Sequence, residues 1–355
     1  MGHAPGGHPA EARVPGLTLR RLLGGIPPLR QGEGPQCSFP AALAIASKRD
    51  YGLARAGSGS EADADARATA DLQSRYDWVM GASGAAFTTA VDAERWDPLA
   101  ASPRDAATRG RAAAAAGVRL DEVAPPYDDE MRALVLDRIR ESIDAGVPVI
   151  VRGIVGPPEY GLLVGYDGDA LLARTYFDKG PEPTRLAADA LAAEERGAPI
   201  FLDPAPPVDR TRAIAAGVGA GLDAGGATDA AMAAWAAALR DDERWKDQKH
   251  AGEAAFGDQA MRTILADQRQ AAARFLRGIR GELPLRAQGD ALRAAESYGR
   301  VAELAAKHGV GPFDAAAAMR FLDPGHRRGW ANLLDQARKS EAEAREALAS
   351  VRAAL

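Results

Sequence analysis

VPVIVRGIVGPPEYGLLVGYDGDALLARTYFD (147–178) is the stretch of this 355-residue chain with the strongest strand signals. Its first part, VPVIVRGIV (147–155), is apolar and rich in β-branched residues, which favours a buried strand. EYGLLVGYD (159–167) and ALLARTYFD (170–178) follow, separated only by Gly168-Asp169. This spacing predicts a two-residue hairpin turn between two antiparallel strands.

A helical pattern precedes these strands. DEMRALVLDRIRESIDAG (129–146) predicts an amphipathic helix that is closed by Gly146. Strands combined with segregated helices predict an α+β domain, which we place at residues 17–205. The residues before it, 1–16, are rich in glycine and proline, and we expect them to form a disordered tail.

Strand patterns stop after about residue 205, and we expect an all-α helical bundle over 206–355. The connection, PIFLDPAPPVDRTR (199–212), is rich in proline and is interpreted as a linker. The predicted helices are TDAAMAAWAAALRDD (228–242), FGDQAMRTILADQRQAAARFLRGI (256–279), DALRAAESYGRVAELAAKHG (290–309) and RRGWANLLDQARKSEAEAREALASVRAAL (327–355).

Side-chain spacing supports the helical interpretation. In the second of these segments, apolar residues recur at helical spacing and predict one buried stripe: Phe256, Ala260, Ile264, Phe275 and Ile279. Breaks between helices are expected at Gly252, Pro284, Gly309 and Pro324. We expect Trp235, Trp245 and Trp330 to fill the core of the bundle.

Composition narrows the function classes. The chain has one cysteine, five histidines and a net charge of −5. A single cysteine excludes a disulfide framework and a cysteine-rich metal site, and we expect no metal or other cofactor. The acidic balance differs from the basic footprint of nucleic-acid-binding proteins. Without a secretory core or a long apolar run, we expect a cytoplasmic protein that binds neither nucleic acid nor membrane.

The candidate chemistry lies in RQGEGPQCSFPAALAIASKRDYG (30–52). Ser38 predicts a helix N-cap and Gly52 the helix end, so Cys37 would lie at a helix N-terminus. The helix dipole there can lower a thiol pKa, which would favour a nucleophile. Gln31, six positions earlier, could donate to an oxyanion. The alternative is that Cys37 is a small buried apolar residue.

These residues resemble the papain-like cysteine peptidases. Gln31 and Cys37 at a helix start match the oxyanion-hole glutamine and nucleophile of that superfamily, and the later hairpin resembles the strand pair that carries its other catalytic residues. YDWVMGASGAAF (76–87) and GPPEYGLLVGYD (156–167) are similar to bacterial peptidase-like proteins that include the butirosin biosynthesis protein H N-terminal domain. The resemblance implies a papain-like domain and, more weakly, a helical region after it.

One position departs from the family pattern. Glu159 stands where the family has its catalytic histidine, and the chain has no histidine between His8 and His250. An ordinary glutamate is a poor base toward a thiol, because a pKa mismatch of about 4 units costs roughly 5–6 kcal/mol. Burial that raises the pKa of Glu159 would narrow this gap or make it a general acid. Alternatively, Glu159 hydrogen-bonds the Cys37 loop.

Other candidate residues follow from the resemblance and from position. Asp178 falls in the region of the family's orienting residue, with Tyr176 beside it. Tyr160 and Tyr176 are candidate substrate-binding residues. Ser83 and Gly84, in the small-residue segment MGASGAAF (80–87), are further candidates for contacting a ligand. His250 is the histidine that a folded-back helical domain could bring to the cleft.

Two function hypotheses stand from the sequence. The first is a cysteine-dependent amide or thioester hydrolase or acyltransferase that uses Cys37, Gln31, Glu159 and Asp178, with a small molecule, peptide or acyl thioester as substrate. The second is a catalytically inactive relative that binds a peptide or small metabolite in the same cleft. A third and weaker interpretation makes the helical half a protein-interaction module.

Overall fold

The computed structural model describes residues 20–48, 51, 61–192, 198–206, 208–307 and 319–355, with the side chains of 61–68, 190, 192 and 248 left aside. The predicted tail at 1–16, the predicted helix end at Gly52 and the predicted break at Gly309 lie outside these residues. Within them the structure is mixed α+β, which confirms the predicted class.

A seven-stranded antiparallel sheet organises the N-terminal part of the chain. Its strands are β1 (Arg20–Leu22), β2 (Val118–Glu122), β3 (Val149–Arg152), β4 (Tyr160–Asp167), β5 (Ala170–Arg174), β6 (Thr184–Ala187) and β7 (Pro199–Pro204). The order across the sheet is β2-β7-β3-β4-β5-β6. Strand β1 pairs with β4 beyond the end of β3, so β4 has neighbours along its whole length.

The hairpin predicted from the sequence is present. Asp167 pairs with Ala170, which leaves Gly168 and Asp169 as the turn. Gly168 has φ +61°, a backbone conformation that glycine adopts at least cost. The strands are shorter than predicted, since β3 ends at Arg152 and β5 at Arg174. Strand β4 is buried from Tyr160 to Tyr166, so both of its faces are covered.

The segment predicted as a linker contains an interior strand instead. Strand β7 pairs with β2 on one edge and with β3 on the other. The proline-rich part of the predicted linker begins only at Pro204, the last residue of the strand, and Pro199 is the first residue of the strand. The missing N–H of proline is best tolerated at such positions, so the strand can form although it contains prolines.

Nine α-helices accompany the sheet within the described residues. They are α1 (Ser38–Ala46), α2 (Glu61–Ser83), α3 (Ala106–Ala115), α4 (Asp129–Asp144), α5 (Arg210–Asp223), α6 (Gly225–Arg240), α7 (Gln248–Gly278), α8 (Leu285–Ala306) and α9 (Pro324–Ala354). None of them combines the length and the hydrophobicity needed to span a bilayer.

Local signals account for most of the helix ends. The Asp128 carboxylate accepts from the backbone N–H of Met131 at 2.7 Å and starts α4, which is followed by Gly146 at φ +77°, as predicted. Pro284 and Pro324 stand at the starts of α8 and α9. The predicted break at Gly252 is wrong, because this glycine lies inside α7.

The predicted tryptophan core is confirmed. Trp235 and Trp330 are fully buried, with ring centroids 5.5 Å apart. Both indole N–H groups donate to one oxygen of Asp258, at 2.7 and 3.0 Å. Trp245 is also buried and packs edge-on against Trp96 from the N-terminal half of the chain.

Helix α7 joins the helical part to the sheet part. It packs on α2, and four of its polar side chains reach N-terminal residues; we call these the α7 polar row: Asp267, Gln268, Arg269 and Arg274. Arg269 donates to the backbone carbonyl of Ala86 at 2.8 Å, and Gln268 donates to that of Ala101 at 3.0 Å. The two parts of the chain therefore share buried hydrogen bonds.

Helix α5 crosses α2 at a backbone contact, which a matched glycine pair can test. A Cβ on Gly217 would lie 2.1 Å from the carbonyl oxygen of Gly81, whereas a Cβ on Gly219 would meet only Arg352 Nε at 3.6 Å. We expect Gly217→Ala to lower the free energy of unfolding by more than about 2 kcal/mol. Gly219→Ala should raise it by about 0.5–1 kcal/mol through helix propensity. Urea unfolding measures both, and equal effects would contradict the close contact.

Candidate functional site

The N-terminus of α1 differs by one residue from the prediction. Cys37, with an extended backbone at φ −86° and ψ 101°, is the N-cap, and Ser38 is the first helical residue. The reason lies in the Ser38 hydroxyl, which donates a short hydrogen bond to the carboxylate of Glu159 rather than capping the helix. Every residue of α1 is buried, so Cys37 enters the core with the helix that follows it.

The thiol of Cys37 is enclosed by polar groups. The cysteine has no exposed surface, and its backbone N–H donates to the hydroxyl oxygen of Tyr76 at 3.2 Å. Tyr76 in turn donates a short hydrogen bond to the carboxylate of Asp267. Tyr76 comes from α2 and Asp267 from α7, so the surroundings of the thiol are built from three helices.

These surroundings raise the pKa of the Cys37 thiol well above its usual range. Burial is the main cause, and the negative charges of Asp267 and Glu159 act in the same direction. A hydrogen bond from Tyr76 lowers the pKa but is outweighed. The lowering that we predicted from the helix dipole is therefore wrong, because desolvation and two carboxylates dominate at this position. Cys37 is held as a neutral thiol.

Asp267 holds the loop before Cys37 in place through hydrogen bonds. Its carboxylate accepts from the backbone N–H of Gln36 at 2.9 Å as well as from Tyr76. The Gln36 side chain then folds the loop, accepting from the N–H of Gly32 at 2.8 Å and donating to the carbonyl of Gly34 at 2.9 Å. Burial raises the pKa of Asp267 to about 6 despite these hydrogen bonds. The loop presents Gln31 as an exposed side chain.

A cleft with about 650 Å³ of open space lies beside this loop. Its lining residues are Gln31, Gly32, Gln36, Pro98, Leu99, Pro157, Glu159, Tyr176, Phe256, Gln259, Ala260, Thr263 and Ile264. Three predicted site residues, Gln31, Glu159 and Tyr176, thus meet here, while Cys37 is not among the residues of the lining. Phe256, predicted for the core, is 38% exposed and forms part of the cleft wall.

Glu159 connects the cleft to the start of α1. It directly precedes β4, so its backbone lies at the end of an interior strand of the sheet. Its carboxylate accepts from Ser38, the residue next to Cys37, in agreement with the interpretation that it hydrogen-bonds this region. Burial raises the pKa of Glu159, and this effect exceeds the lowering by Ser38, Arg104 and Arg152.

The remaining residues near the hairpin hold the structure around the cleft. The Tyr176 hydroxyl donates to the carbonyl of Pro35 at 2.7 Å and supports the Gln31 loop. Asp178 closes its own turn by accepting from the N–H of Thr175 at 3.1 Å, and its side chain is fully buried. Tyr160 packs edge-on against Phe39 at 5.2 Å and lies outside the cleft lining.

Three other candidates lie away from the cleft. Ser83 is buried at the end of α2, where its hydroxyl donates to the carbonyl of Met80 at 3.2 Å. Gly84, at φ +87°, packs so closely on α5 that a Cβ would lie 2.8 Å from Ala220 Cβ. His250 lies on α7 six residues before Phe256 and is not among the residues of the cleft lining.

The sequence reasoning missed Tyr76 and Asp267. Asp267 lies in the polar run ADQRQ (266–270), which is typical of an exposed helix face. Tyr76 is the first residue of YDWVMGASGAAF (76–87), a segment quoted for the family resemblance, but nothing in that segment assigns it a role. Their meeting with Cys37 depends on how α2 and α7 pack, which no local pattern encodes. Within the described residues, no group of three His, Cys, Asp or Glu side chains could hold a metal ion.

Comparison with known proteins adds no family. No protein-family model matches this chain. No curated protein matches its sequence either. The resemblance to papain-like peptidases therefore stays a prediction that rests on the residues quoted above.

The raised pKa of Asp267 predicts how stability depends on pH. Its carboxyl binds a proton more tightly in the folded chain than in the unfolded chain, so folding loses stability as pH rises from about 4 to about 6. This loss amounts to about 2–3 kcal/mol from Asp267 alone. We therefore expect Asp267→Asn to raise the free energy of unfolding above pH 6 and to change it little near pH 4.

Asp229 provides a control of opposite sign. Its pKa is lowered by hydrogen bonds from Arg338, so the carboxylate stays charged down to pH 4, and Asp229→Asn should destabilise the protein over the whole range from pH 4 to pH 8. Urea unfolding between pH 4 and pH 8 measures both variants. A loss of stability in Asp267→Asn at neutral pH would show that the charged carboxylate is favourable in the folded chain.

Proposed function

We propose that this protein is a papain-like relative that binds a peptide or small metabolite without forming a covalent bond to Cys37. The papain-like arrangement is supported by a buried helix that begins after the cysteine and packs on β3 and β4. It is supported further by Glu159, which directly precedes β4, where the family has histidine. A helical part, α5 to α9, completes the arrangement.

The observation that carries this proposal is the state of the Cys37 thiol. It has no exposed surface, and burial together with two carboxylates raises its pKa. A cysteine nucleophile needs access and a stabilised thiolate, usually from a neighbouring cation or helix terminus. Here Asp267 and Glu159 supply negative charge at the position where a cation would be required.

The cleft is suited to binding. Its apolar wall, formed by Leu99, Phe256 and Ile264, faces amide and carboxylate groups that include Gln31 and Glu159. Mostly apolar clefts with a few placed polar groups are typical of sites for small molecules and peptides. Since Glu159 is the one charged residue among the lining residues and its carboxylate accepts hydrogen bonds, as it does from Ser38, ligands with N–H donors such as amides suit the cleft.

A cysteine-dependent hydrolase or acyltransferase is the second candidate. It is favoured by one observation: Gln31 and Glu159, which the resemblance implies for catalysis, line the same cleft next to α1. For this reaction the thiol would have to become exposed and pass its proton to a carboxylate such as Glu159 before attacking an acyl carbon. Asp178 would not orient Glu159, because one of its carboxylate oxygens accepts hydrogen bonds within its own turn and the other lies 3.6 Å from the Arg174 guanidinium.

The single cysteine makes the first test unambiguous, because any thiol adduct is on Cys37. We expect folded protein at neutral pH to react with iodoacetamide at least about 100-fold more slowly than free cysteine, and urea-unfolded protein to react at the free rate. An acetyl thioester of N-acetylcysteamine should leave the intact mass of the folded protein unchanged. An acyl adduct that is absent in Cys37→Ala would establish the second candidate.

The binding half of the proposal is tested with N-acetyl dipeptide amides that contain leucine or phenylalanine. We expect at least one to raise the melting temperature of the wild type and of Cys37→Ala alike. Glu159→Ala and Gln31→Ala should each weaken binding by about tenfold, the effect of losing one good hydrogen bond. Glu33→Ala is the matched control, since Glu33 lies on the same loop outside the cleft lining. Binding that is insensitive to Glu159 and Gln31 would exclude this cleft as the site.

A further inference from the structure

A second cavity lies next to the cleft, on the other side of the segment 97–105. Pro98 and Leu99 line the cleft, whereas residues 100–105 line this cavity together with parts of α3, α5 and α6. The cavity has about 980 Å³ of open space and is rich in hydroxyl groups, from Thr88, Thr89, Ser102, Thr108 and Thr228. We call it the hydroxyl-lined cavity.

Ser102 is a buried polar residue without a partner. It lines the cavity and is 8% exposed, and its Oγ makes no hydrogen bond. A buried hydroxyl left unpaired is destabilising, and such groups in native proteins call for a specific explanation such as a bound ligand or water. Neither Thr89, which donates to Gln268 at 2.5 Å, nor Thr108, which accepts from Arg111 at 3.1 Å, is in this position.

Two arginines are among the residues of the same lining. Arg104 makes no hydrogen bond within the described part of the chain, and its nearest carboxylate is that of Asp97 at 3.9 Å. Arg111 is held in place, because its Nε donates to the carbonyl of Ser83 at 2.6 Å and one Nη donates to Thr108. The Arg111 guanidinium is thus fixed in position, whereas the Arg104 guanidinium has N–H donors that make no hydrogen bond.

The lining also contains one carboxylate, which already accepts a hydrogen bond from the backbone. Asp105 is the N-cap of α3, where its carboxylate accepts from the N–H of Thr108 at 2.8 Å. Arg104, Arg111 and Asp105 are the charged residues of the lining, so its net charge is +1. The cavity therefore combines excess positive charge with unused N–H and O–H donors.

From these features we propose that the hydroxyl-lined cavity binds an oxyanion, the phosphate or carboxylate group of a small molecule. Guanidinium groups match the two-oxygen geometry of both groups, and charge-assisted hydrogen bonds are the strong ones. Arg104 and Arg111 bind the oxyanion, and the Ser102 hydroxyl, whose Oγ is buried in the structure, turns toward the cavity to donate to it. Cys37 takes no part, and the proposal does not rest on the function proposed above. The group shared with the cleft is Arg104, whose charge also lowers the pKa of Glu159.

The test uses the full chain and three probes, inorganic phosphate, citrate and glycerol, at constant ionic strength set with chloride. We expect phosphate or citrate to raise the melting temperature saturably and glycerol to give no saturable shift. Phosphate alone would indicate a phosphorylated ligand, and citrate alone a carboxylate ligand. Backbone amide NMR shifts should locate the bound anion at Ser102 and Thr228.

Variants connect binding to the named residues. Arg104→Gln should weaken binding of the active anion by about tenfold or more, because it removes a charged donor. Ser102→Ala should weaken it less and leaves the charge unchanged, which keeps the test valid if one variant folds poorly. Arg119→Gln is the matched control, since Arg119 is 73% exposed on β2 and lies outside the lining.

Two results would overturn the proposal. The first is that neither phosphate nor citrate stabilises the protein beyond the chloride control. The second is that Arg104→Gln and Ser102→Ala bind the active anion as tightly as the wild type and Arg119→Gln do.

Discussion

The arrangement of the chain depends on the polar side chains that α7 carries into its interface with the sheet part. Arg269 is completely buried, where it pairs with Glu341 of α9 and donates to the carbonyls of Ala86 and Thr88. Gln268, next to it, links Thr89 to Ala101. Buried groups of this kind are strongly unfavourable without partners, so these hydrogen bonds favour the observed register of α7. That register brings Asp267 to Tyr76 and Gln36.

The same register decides what Cys37 can do. A thiol at the N-terminus of a buried helix is, by itself, the geometry of a papain-like nucleophile. Asp267 arrives from α7 at this point, and Glu159 approaches from the start of β4. Two carboxylates in a desolvated site favour the neutral thiol, and they outweigh the helix dipole and the hydrogen bond from Tyr76. Asp267 and Glu159 therefore disfavour the thiolate that the position of Cys37 at a helix N-terminus predicts.

The features that could be predicted from the sequence are those that depend on residues close together in the chain. The β4–β5 hairpin follows from Gly168-Asp169 between two apolar runs, and α4 follows from its Asp128 cap and Gly146. Strand β7 was missed because prolines in and after it are typical of a linker, although those within the strand, Pro199 and Pro204, stand at its two ends. Asp267 was missed because its partners are 191 and 231 residues away in the chain, and a polar helical residue gives no sign of burial. Gln31 and Glu159 were predicted as site residues from the family resemblance, and both line the cleft.

The protonation state of Cys37 tests the central claim most directly. Thiolate absorbs in the far ultraviolet where thiol does not, so the wild type minus Cys37→Ser difference spectrum reports this one group as the pH is raised. We predict that the folded protein gives no thiolate signal at neutral pH and that the signal appears only well above the usual pKa range of cysteine, or on unfolding. A thiolate signal at neutral pH in the folded protein would contradict this prediction and would restore Cys37 as a nucleophile.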